Sequence, residues 1–199
     1  MNDTTRPGAG EQLWTLTLAQ FRDAAAGKGM PGCGAVAAVV ADFGLALVVK
    51  ALRISEKNER QAKREELLRS AQALLGRLGA FADDDVAAFQ HHLDAEGREA
   101  QQSATRQACA VPLATAHACN QALAITETAR PLVTESLRCD VEAGALLIGA
   151  AIDAVLLNVQ ADLAGLEDPG VRNELREKRE TLQAEAHDRL NRMGLLQLE

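Results

Sequence analysis

Polar side chains at the edges of two apolar runs are the residues best suited to chemistry. Asp83, Asp84 and Asp85 stand together before one apolar stripe, Asp140 opens a long apolar run, and Asn158 lies inside that run. A positioned carboxylate can accept or donate a proton in a reaction, but near a helix start it can equally cap free N–H groups and complement the dipole. A buried amide must likewise find a partner, either a ligand or a neighbouring backbone. Both interpretations stay open for each residue.

A glycine turn in front of the other apolar run is a second candidate site. It reads Pro31-Gly32-Cys33-Gly34, and Lys28 lies just before it. Backbone N–H groups in such a turn can bind an anion at the start of a helix. A Gly-x-Gly pair is also common in ordinary turns, so the turn alone does not establish a binding site.

The cysteines form neither a metal pattern nor a disulfide pattern. Cys33, Cys109, Cys119 and Cys139 are widely spaced, and none belongs to a Cys-x-x-Cys pair. Without a secretion signal, reduced thiols in a cytoplasmic protein are expected. His117 lies two residues before Cys119, which is weak evidence for a ligand pair, and we predict no metal site.

Charge and hydropathy exclude several classes of partner. The net charge of −7 argues against nucleic acid and against an anionic membrane surface. Residues 1–12 are polar and lack the apolar segment of a signal peptide. Asp42 and Asp153 interrupt the two apolar runs, so we expect neither to reach the roughly 20 apolar residues of a membrane span.

The composition predicts an all-α protein. Hydrophobic residues make up 47% of the 199 residues, but aromatic residues only 3%, so Ala, Leu and Val must fill the core. Ala and Leu favour helices, and the alternating pattern of strands is absent. We expect an antiparallel multi-helix bundle with two central buried helices. Residues 1–10 are predicted to be a disordered lead-in, and 11–199 a single helical domain.

The apolar periodicity also predicts the positions of the helices. The first central helix is expected at 34–53 and the second at 140–166. Pro112 should either start or kink its helix. The remaining segments are expected at 12–26, at 56–75 with a break near 76–79, at 82–93, at 106–129 and at 171–195, with 95–105 a connection or a weak continuation.

Four short motifs resemble one known family. The segment 31–38, followed by Gly-Leu-Ala-Leu at 44–47, resembles the P-G-G-G-x-x-A-A…G-x-A-L opening of the formiminotetrahydrofolate cyclodeaminase / methenyltetrahydrofolate cyclohydrolase family. The acidic segment 83–89 resembles its D-x-D-x-x-A-F, and Pro112-Leu113 its mid-chain P-L. Asp140 and Asn158-Val159 resemble its S-D…N-V at the same spacing. Each motif is weak alone, but their order and spacing agree from about residue 12 to 190.

The resemblance implies a bundle-like homodimer that acts on a one-carbon derivative of tetrahydrofolate, with no covalently bound cofactor. Reactions in this family join or hydrolyse a cationic one-carbon bridge between two folate nitrogens. Carboxylates can position water, stabilise the cation and move protons there. The catalytic residues carried over are Asp84, Asp85 and Asp140. The substrate-binding candidates are Lys28, Gly32, Cys33, Gly34 and Asn158.

The chain departs from the family pattern mostly at polar or loop positions. Cys33 replaces the middle glycine, Cys139 replaces the serine before the aspartate, Asp42 replaces an alanine and Asp153 replaces a basic residue. These changes make a catalytically silent paralogue, binding a pterin-like ligand or a protein partner, the alternative to an enzyme. Because no formiminotransferase segment accompanies the domain, a cyclohydrolase is slightly favoured over a cyclodeaminase, and both stay open.

Overall fold

The structure, a computed structural model, describes residues 13–27, 29–58 and 60–196. These residues contain α-helices and short 3-10 turns but no strand, which confirms the predicted all-α class. In chain order the helices are α1 (Leu18–Ala26), α2 (Cys33–Asn58), α3 (Ala62–Leu74), α4 (Arg77–Asp94), α5 (Arg98–Ala129), α6 (Arg138–Asp162) and α7 (Pro169–Arg192).

Helices α2 and α6 lie antiparallel at the centre of the bundle, as the two apolar runs predicted. They cross where Gly44 meets Gly144: a Cβ on Gly144 would lie 2.6 Å from the carbonyl oxygen of Gly44. Leu45 and Leu52 on α2 and Ile148 on α6 are completely buried beside this crossing. The absence of side chains at the crossing therefore lets two long helices share one core.

The outer helices close the core around this pair. Helix α5 packs along α6 and α4 along α2, and α7 is held on α5 by ion pairs. The carboxylate of Glu127 on α5 accepts from Arg189 at 2.9 Å and from Arg192 at 2.6 Å. Asp168 caps the first turn of α7 by accepting the N–H of Gly170.

The predicted first helix is divided in two. Leu13–Thr15 is a 3-10 turn, and α1 begins only at Leu18, after Thr17 and Gln20 form a reciprocal capping box. Trp14 lies on Gly79, where an added Cβ would come within 2.0 Å of the indole ring. A Thr-x-x-Gln cap inside an otherwise periodic segment therefore ends one element and starts another.

The predicted break near 76–79 is present, but Gly76 is the N-cap of α4, which therefore begins at Arg77 and not at 82. Gly76 has a φ of +81°, the left-handed region that favours glycine. Its N–H donates to the buried carboxylate of Asp42 at 2.8 Å. Burial raises the pKa of Asp42, and this hydrogen bond opposes the rise. Asp42, a departure from the family pattern, thus joins α2 to the start of α4.

Further boundaries differ from the predictions: α2 continues to Asn58 instead of ending at 53, and α3 begins at Ala62 instead of 56. Helix α5 begins at Arg98, so Pro112 lies inside a continuous helix and does not start one. Helix α6 ends at Asp162 and is followed by a 3-10 turn, whereas the prediction extended it to 166. Tertiary packing along 32 residues of α5 outweighs the single backbone hydrogen bond that Pro112 cannot donate.

Helix α2 is long and apolar enough to cross a membrane by length and composition, with a mean hydropathy of 2.1 in the most apolar 18-residue window of Cys33–Lys57. The expectation that neither apolar run reaches that length is therefore wrong for this helix. However, 67% of its most apolar window is buried within the fold. The core helix of a soluble protein has the same properties, and Asp42 is accommodated there by its bond to Gly76.

The crossing of α2 and α6 predicts the effect of added bulk. A valine at Gly144 would meet the Gly44 carbonyl and Val48, whose Cγ2 lies 2.9 Å from the site of the new Cβ. We expect Gly144→Val to lower the free energy of unfolding by about 3 kcal/mol, as overpacked cores do. Thermal denaturation followed by circular dichroism measures this. Ala114→Val, on the exposed side of α5, is the matched control and should change stability by less than about 0.5 kcal/mol; equal effects would contradict the close crossing.

Candidate active site

A pocket of about 180 Å³ lies where the glycine turn, α4 and the end of α6 meet. The turn contributes Cys33, α4 contributes Asp85 and Phe89, and α6 contributes Asn158 and Asp162. Because α2 and α6 are antiparallel, the start of one helix and the end of the other come to the same edge of the bundle. Residues more than 120 positions apart in the sequence thus line one pocket.

The carboxylate of Asp85 lies directly over the start of α2. It accepts the N–H of Ala35 at 3.0 Å. A Cβ on Gly34 would lie 2.1 Å from Asp85 Oδ1, so only glycine permits this approach. Burial raises the pKa of Asp85, the hydrogen bond from Ala35 opposes the rise, and the negative charge of Asp162 adds to it. A carboxyl with a raised pKa is suited to exchanging protons nearer to neutral pH.

Cys33 and Asn158 join α2 to α6 at the pocket wall. The Cys33 thiol donates to Asn158 Oδ1 at 2.5 Å. Burial and the neighbouring Asp85 raise the pKa of this thiol, whereas the bond to Asn158 lowers it. Asn158 therefore bonds a side chain of α2, not the neighbouring backbone that sequence analysis offered as one alternative. The bond to Cys33 uses its amide oxygen.

Asp162 is a pocket residue that sequence analysis did not single out. It ends α6 one turn after Asn158, on the same side of the helix. Burial raises its pKa, and the electrostatic influence of His92 opposes the rise. His92 Nδ1 is buried and has no hydrogen-bond partner within the described part of the chain. The i, i+4 spacing from Asn158 was the available signal. Because the helix was predicted to extend to 166, Asp162 was not recognised as its last residue.

The structure brings together most of the sequence candidates from the glycine turn and separates the acidic ones. Asp83 accepts the N–H of Leu13 at 2.8 Å and so tethers the N-terminal turn. Asp84 is exposed and does not line the pocket. Its catalytic role stays a prediction. Lys28 lies outside the described residues.

Asp140 lies at the opposite end of the central helix pair. Its carboxylate forms an ion pair with Lys50 Nζ at 2.8 Å. Lys50 is 17 residues after Cys33 on α2, which corresponds to about 26 Å along the helix. Within one chain, therefore, Asp85 and Asp140 do not face the same pocket.

A larger and more open hollow, of about 440 Å³, lies between the starts of α5 and α7. Arg98 and Glu167 in its lining form an ion pair with each other, in which Arg98 donates to Glu167 at 2.6 Å. None of the residues that resemble the family motifs lines it. We therefore place the candidate site at the smaller pocket. Across residues 13–27, 29–58 and 60–196, no three His, Cys, Asp or Glu side chains are grouped to hold a metal ion.

The contact between Asp85 and Cys33 predicts how the thiol reacts. Asp85→Asn removes the negative charge that raises the pKa of Cys33, while the amide oxygen can still accept from Ala35. The thiolate fraction, and with it the alkylation rate, should rise severalfold at pH 8. Iodoacetamide labelling followed by peptide mass spectrometry measures this rate.

Exposed Cys139 serves as an internal reference. Burial raises the pKa values of Cys109 and Cys119 to about 12, so both should stay unmodified. Asp84→Asn is the matched control and should leave the Cys33 rate unchanged. An equal acceleration in both variants would contradict the assignment of Asp85 as the neighbouring charge.

Comparison with known proteins identifies the family and the fold. A family model described as formiminotransferase-cyclodeaminase matches residues 17–181. The fold matches a crystal structure of formiminotetrahydrofolate cyclodeaminase from Thermotoga maritima with a TM-score of 0.86, at 22% sequence identity, over 90% of this chain and 94% of the other. No curated protein sequence matches the chain. The family match includes the glycine turn, the acidic segment of α4 and the end of α6, and the chain therefore belongs to the formiminotransferase-cyclodeaminase family.

Proposed function

We propose that this protein is a folate-dependent one-carbon enzyme. It forms or opens the one-carbon bridge of a tetrahydrofolate derivative, as a methenyltetrahydrofolate cyclohydrolase or as a formiminotetrahydrofolate cyclodeaminase. Family membership supports the substrate class. The observation that carries the proposal is the acidic pocket in which Asp85 and Asp162 lie beside Asn158.

The cyclohydrolase reaction needs a base and a site that tolerates positive charge. The oxygen of water bonds to the cationic bridge carbon and the bond from this carbon to N5 breaks; the water oxygen loses both of its protons, one to a base and the other, in effect, to N5. A carboxylate of Asp85 or Asp162 can accept the first of these protons and stabilise the cation before attack. Their raised pKa values make either a stronger base than a solvated carboxylate.

The cyclodeaminase reaction needs the same groups in a different order. N10 bonds to the formimino carbon, the bond from this carbon to the imino nitrogen breaks, and ammonia leaves. The formimino nitrogen must gain two protons to leave as ammonia, and N10 must lose one, so one further proton has to be supplied by an acid. Two carboxyls with raised pKa values in one pocket suit these transfers, because one can be protonated while the other is ionised.

The proposal also covers how the pterin ring is bound and how the chains assemble. The amide of Asn158 and the two carboxylates offer hydrogen-bond partners to a donor-rich pterin ring. We further propose that the enzyme works as a homodimer in the cytoplasm, without a covalently bound cofactor. Phe43 and Leu157 support a dimer, because 44% and 65% of these apolar side chains are exposed in the single chain.

Turnover of the two substrates tests the proposal. Purified protein should accelerate either the loss of methenyltetrahydrofolate absorbance in the near ultraviolet or the release of ammonia from 5-formiminotetrahydrofolate. Asp85→Asn should lower kcat/KM by about 10²- to 10⁴-fold, the usual contribution of a general acid or base. Asp94→Asn, at an exposed position at the end of the same helix, should stay within a fewfold of the unchanged protein. Folate binding measured by calorimetry without any turnover would instead support the silent paralogue.

The pH dependence gives a second readout of the same group. Burial first, and then Asp162, raises the pKa of Asp85 above the ordinary value of 3.8. If Asp85 acts as the base, kcat/KM falls as the pH drops through this raised pKa, because protonation removes the acceptor. The acid limb of the profile should therefore lie above pH 3.8 and disappear in Asp85→Asn. An acid limb that persists unchanged in this variant would assign the base to another residue.

A further inference from the structure

The side-chain amide of Asn158 has its two ends in different surroundings. Its Oδ1 atom accepts the hydrogen bond of the Cys33 thiol. Its Nδ2 atom lies over the first turn of α2, 2.7 Å from where a Cβ on Gly34 would be. Within the described ranges of the chain, this Nδ2 atom has no hydrogen-bond partner. The amide therefore offers its N–H groups, and not its oxygen, to a ligand in the pocket.

The Cys33 thiol favours this orientation of the amide over the opposite one. Rotating an Asn amide by 180° exchanges an acceptor for a donor with almost no change of shape. Burial and the charge of Asp85 raise the pKa of Cys33 above the ordinary 9.0, so the thiol keeps its proton at neutral pH. A protonated thiol is a donor, and the rotated amide would place N–H groups against it. The bond to Oδ1 is lost in that orientation.

Asp85 supports the same orientation from the other side. Its Oδ1 atom would lie 2.1 Å from the Cβ position above Gly34 that is also close to Asn158 Nδ2. A rotated amide would turn its oxygen toward this carboxylate, where two acceptors repel each other. The thiol and the carboxylate thus act on opposite ends of one amide, and an experiment must separate their effects.

The thiol is a feature of this chain and not of the family pattern. Cys33 stands where that pattern has the middle glycine of the turn. A glycine has no side chain and cannot donate to the residue at position 158. The substitution therefore adds a contact at the pocket wall that the pattern itself does not provide.

The amide is the source of side-chain N–H donors in the described lining of the pocket. Asp85 and Asp162 accept hydrogen bonds when ionised, and the thiol of Cys33 is already bonded to Asn158. The other lining residues are glycines or carry hydrocarbon or thioether side chains. A ligand with donors that face the carboxylates must therefore turn an acceptor toward Asn158, because a donor there would remain unpaired.

A pterin ring can meet this demand through its carbonyl oxygen. The ring carries several N–H donors and a single carbonyl oxygen, at ring position 4. Replacing that oxygen with an amino group sets a donor against a donor and leaves both without a partner. Sites that hydrogen-bond one substituent reject its mismatched analogue in this way.

We infer that Cys33 determines ligand specificity through Asn158. By holding the amide oxygen, the thiol turns the amide N–H groups into the pocket, and the pocket then selects a ring with a carbonyl oxygen over one with an amino group at the same position. Cys33 is a positioning residue, since it acts through Asn158. The inference rests on the proposed function for the pterin ligand, but not for the orientation of the amide.

A pair of ligands that differ at ring position 4 tests the selection. The pair is 5-formyltetrahydrofolate and its 4-amino-4-deoxy analogue, and titration calorimetry gives the Kd of each. The ratio of the two Kd values, amino over oxo, should fall about fivefold in Cys33→Ala, because the amide is then free to rotate and accept from the amino group. Added space and the two carboxylates affect both ligands, so the ratio isolates the amide.

Cys33→Ser is the matched control, because a hydroxyl keeps a donor at nearly the same place. It should retain the wild-type ratio within about twofold. An equal fall in the serine and alanine variants would overturn the inference, because the donor would then be irrelevant. An unchanged ratio in Cys33→Ala would also overturn it and assign the orientation to Asp85.

A double-mutant cycle shows whether Cys33 acts through Asn158. Asn158→Leu removes the amide at similar volume and should itself lower the ratio. Adding Cys33→Ala to this variant should then produce no further change, because the thiol has lost the group that it positions. Additive effects of the two substitutions would contradict the inference.

The orientation of the amide can be measured without a ligand. In NMR spectra of the labelled protein, the Nδ2 protons of Asn158 should show strong nuclear Overhauser contacts to the Hα protons of Gly34. Their contacts to the Hβ protons of Cys33 should be weaker. The opposite pattern would overturn the inference, whatever the folates do.

Failure of the proposed function gives a different set of results. In that case neither pterin ligand binds and neither folate substrate is turned over, which also removes the selection inferred for the pterin ring. Contacts to Gly34 would still support the orientation set by the thiol. Failure of the inference alone leaves binding and turnover intact and shows itself in the ratio of Kd values.

Discussion

The close contact of Gly44 with Gly144 is the constraint on which the rest of the structure depends. With a Cβ on Gly144 only 2.6 Å from the opposite carbonyl oxygen, any side chain would push the two helices apart. Glycine inside a helix costs about 1 kcal/mol relative to alanine. Close packing of α2 against α6 offsets this cost by burying the apolar residues around the crossing. The antiparallel direction of the pair then places the start of α2 beside the end of α6.

The candidate site follows from that placement together with one missing side chain. Gly34 lets the carboxylate of Asp85 reach the first turn of α2, where it accepts the N–H of Ala35. The packing that brings Asp85, Asn158 and Asp162 together also removes them partly from water. Burial is the largest cause of the raised pKa values of both carboxyls, so the helix packing itself raises these pKa values.

The same antiparallel pair has two chemically different ends. One end holds the acidic pocket, and the other holds the ion pair of Lys50 with Asp140. The antiparallel packing keeps these two ends apart within the chain, so Asp140 does not contribute to the pocket of Asp85.

The sequence by itself determined the fold class, the two central helices and the family, because helix propensity, apolar runs and motif spacing are local properties of the chain. It also identified Cys33, Gly34, Asp85 and Asn158 as candidates, through residue types that match a family pattern. Only the tertiary structure decided that Asp162 lines the pocket and that Asp140 lies about 26 Å away from it. Which side chains share a pocket depends on the direction in which distant helices pack, and no local pattern in the sequence encodes that direction.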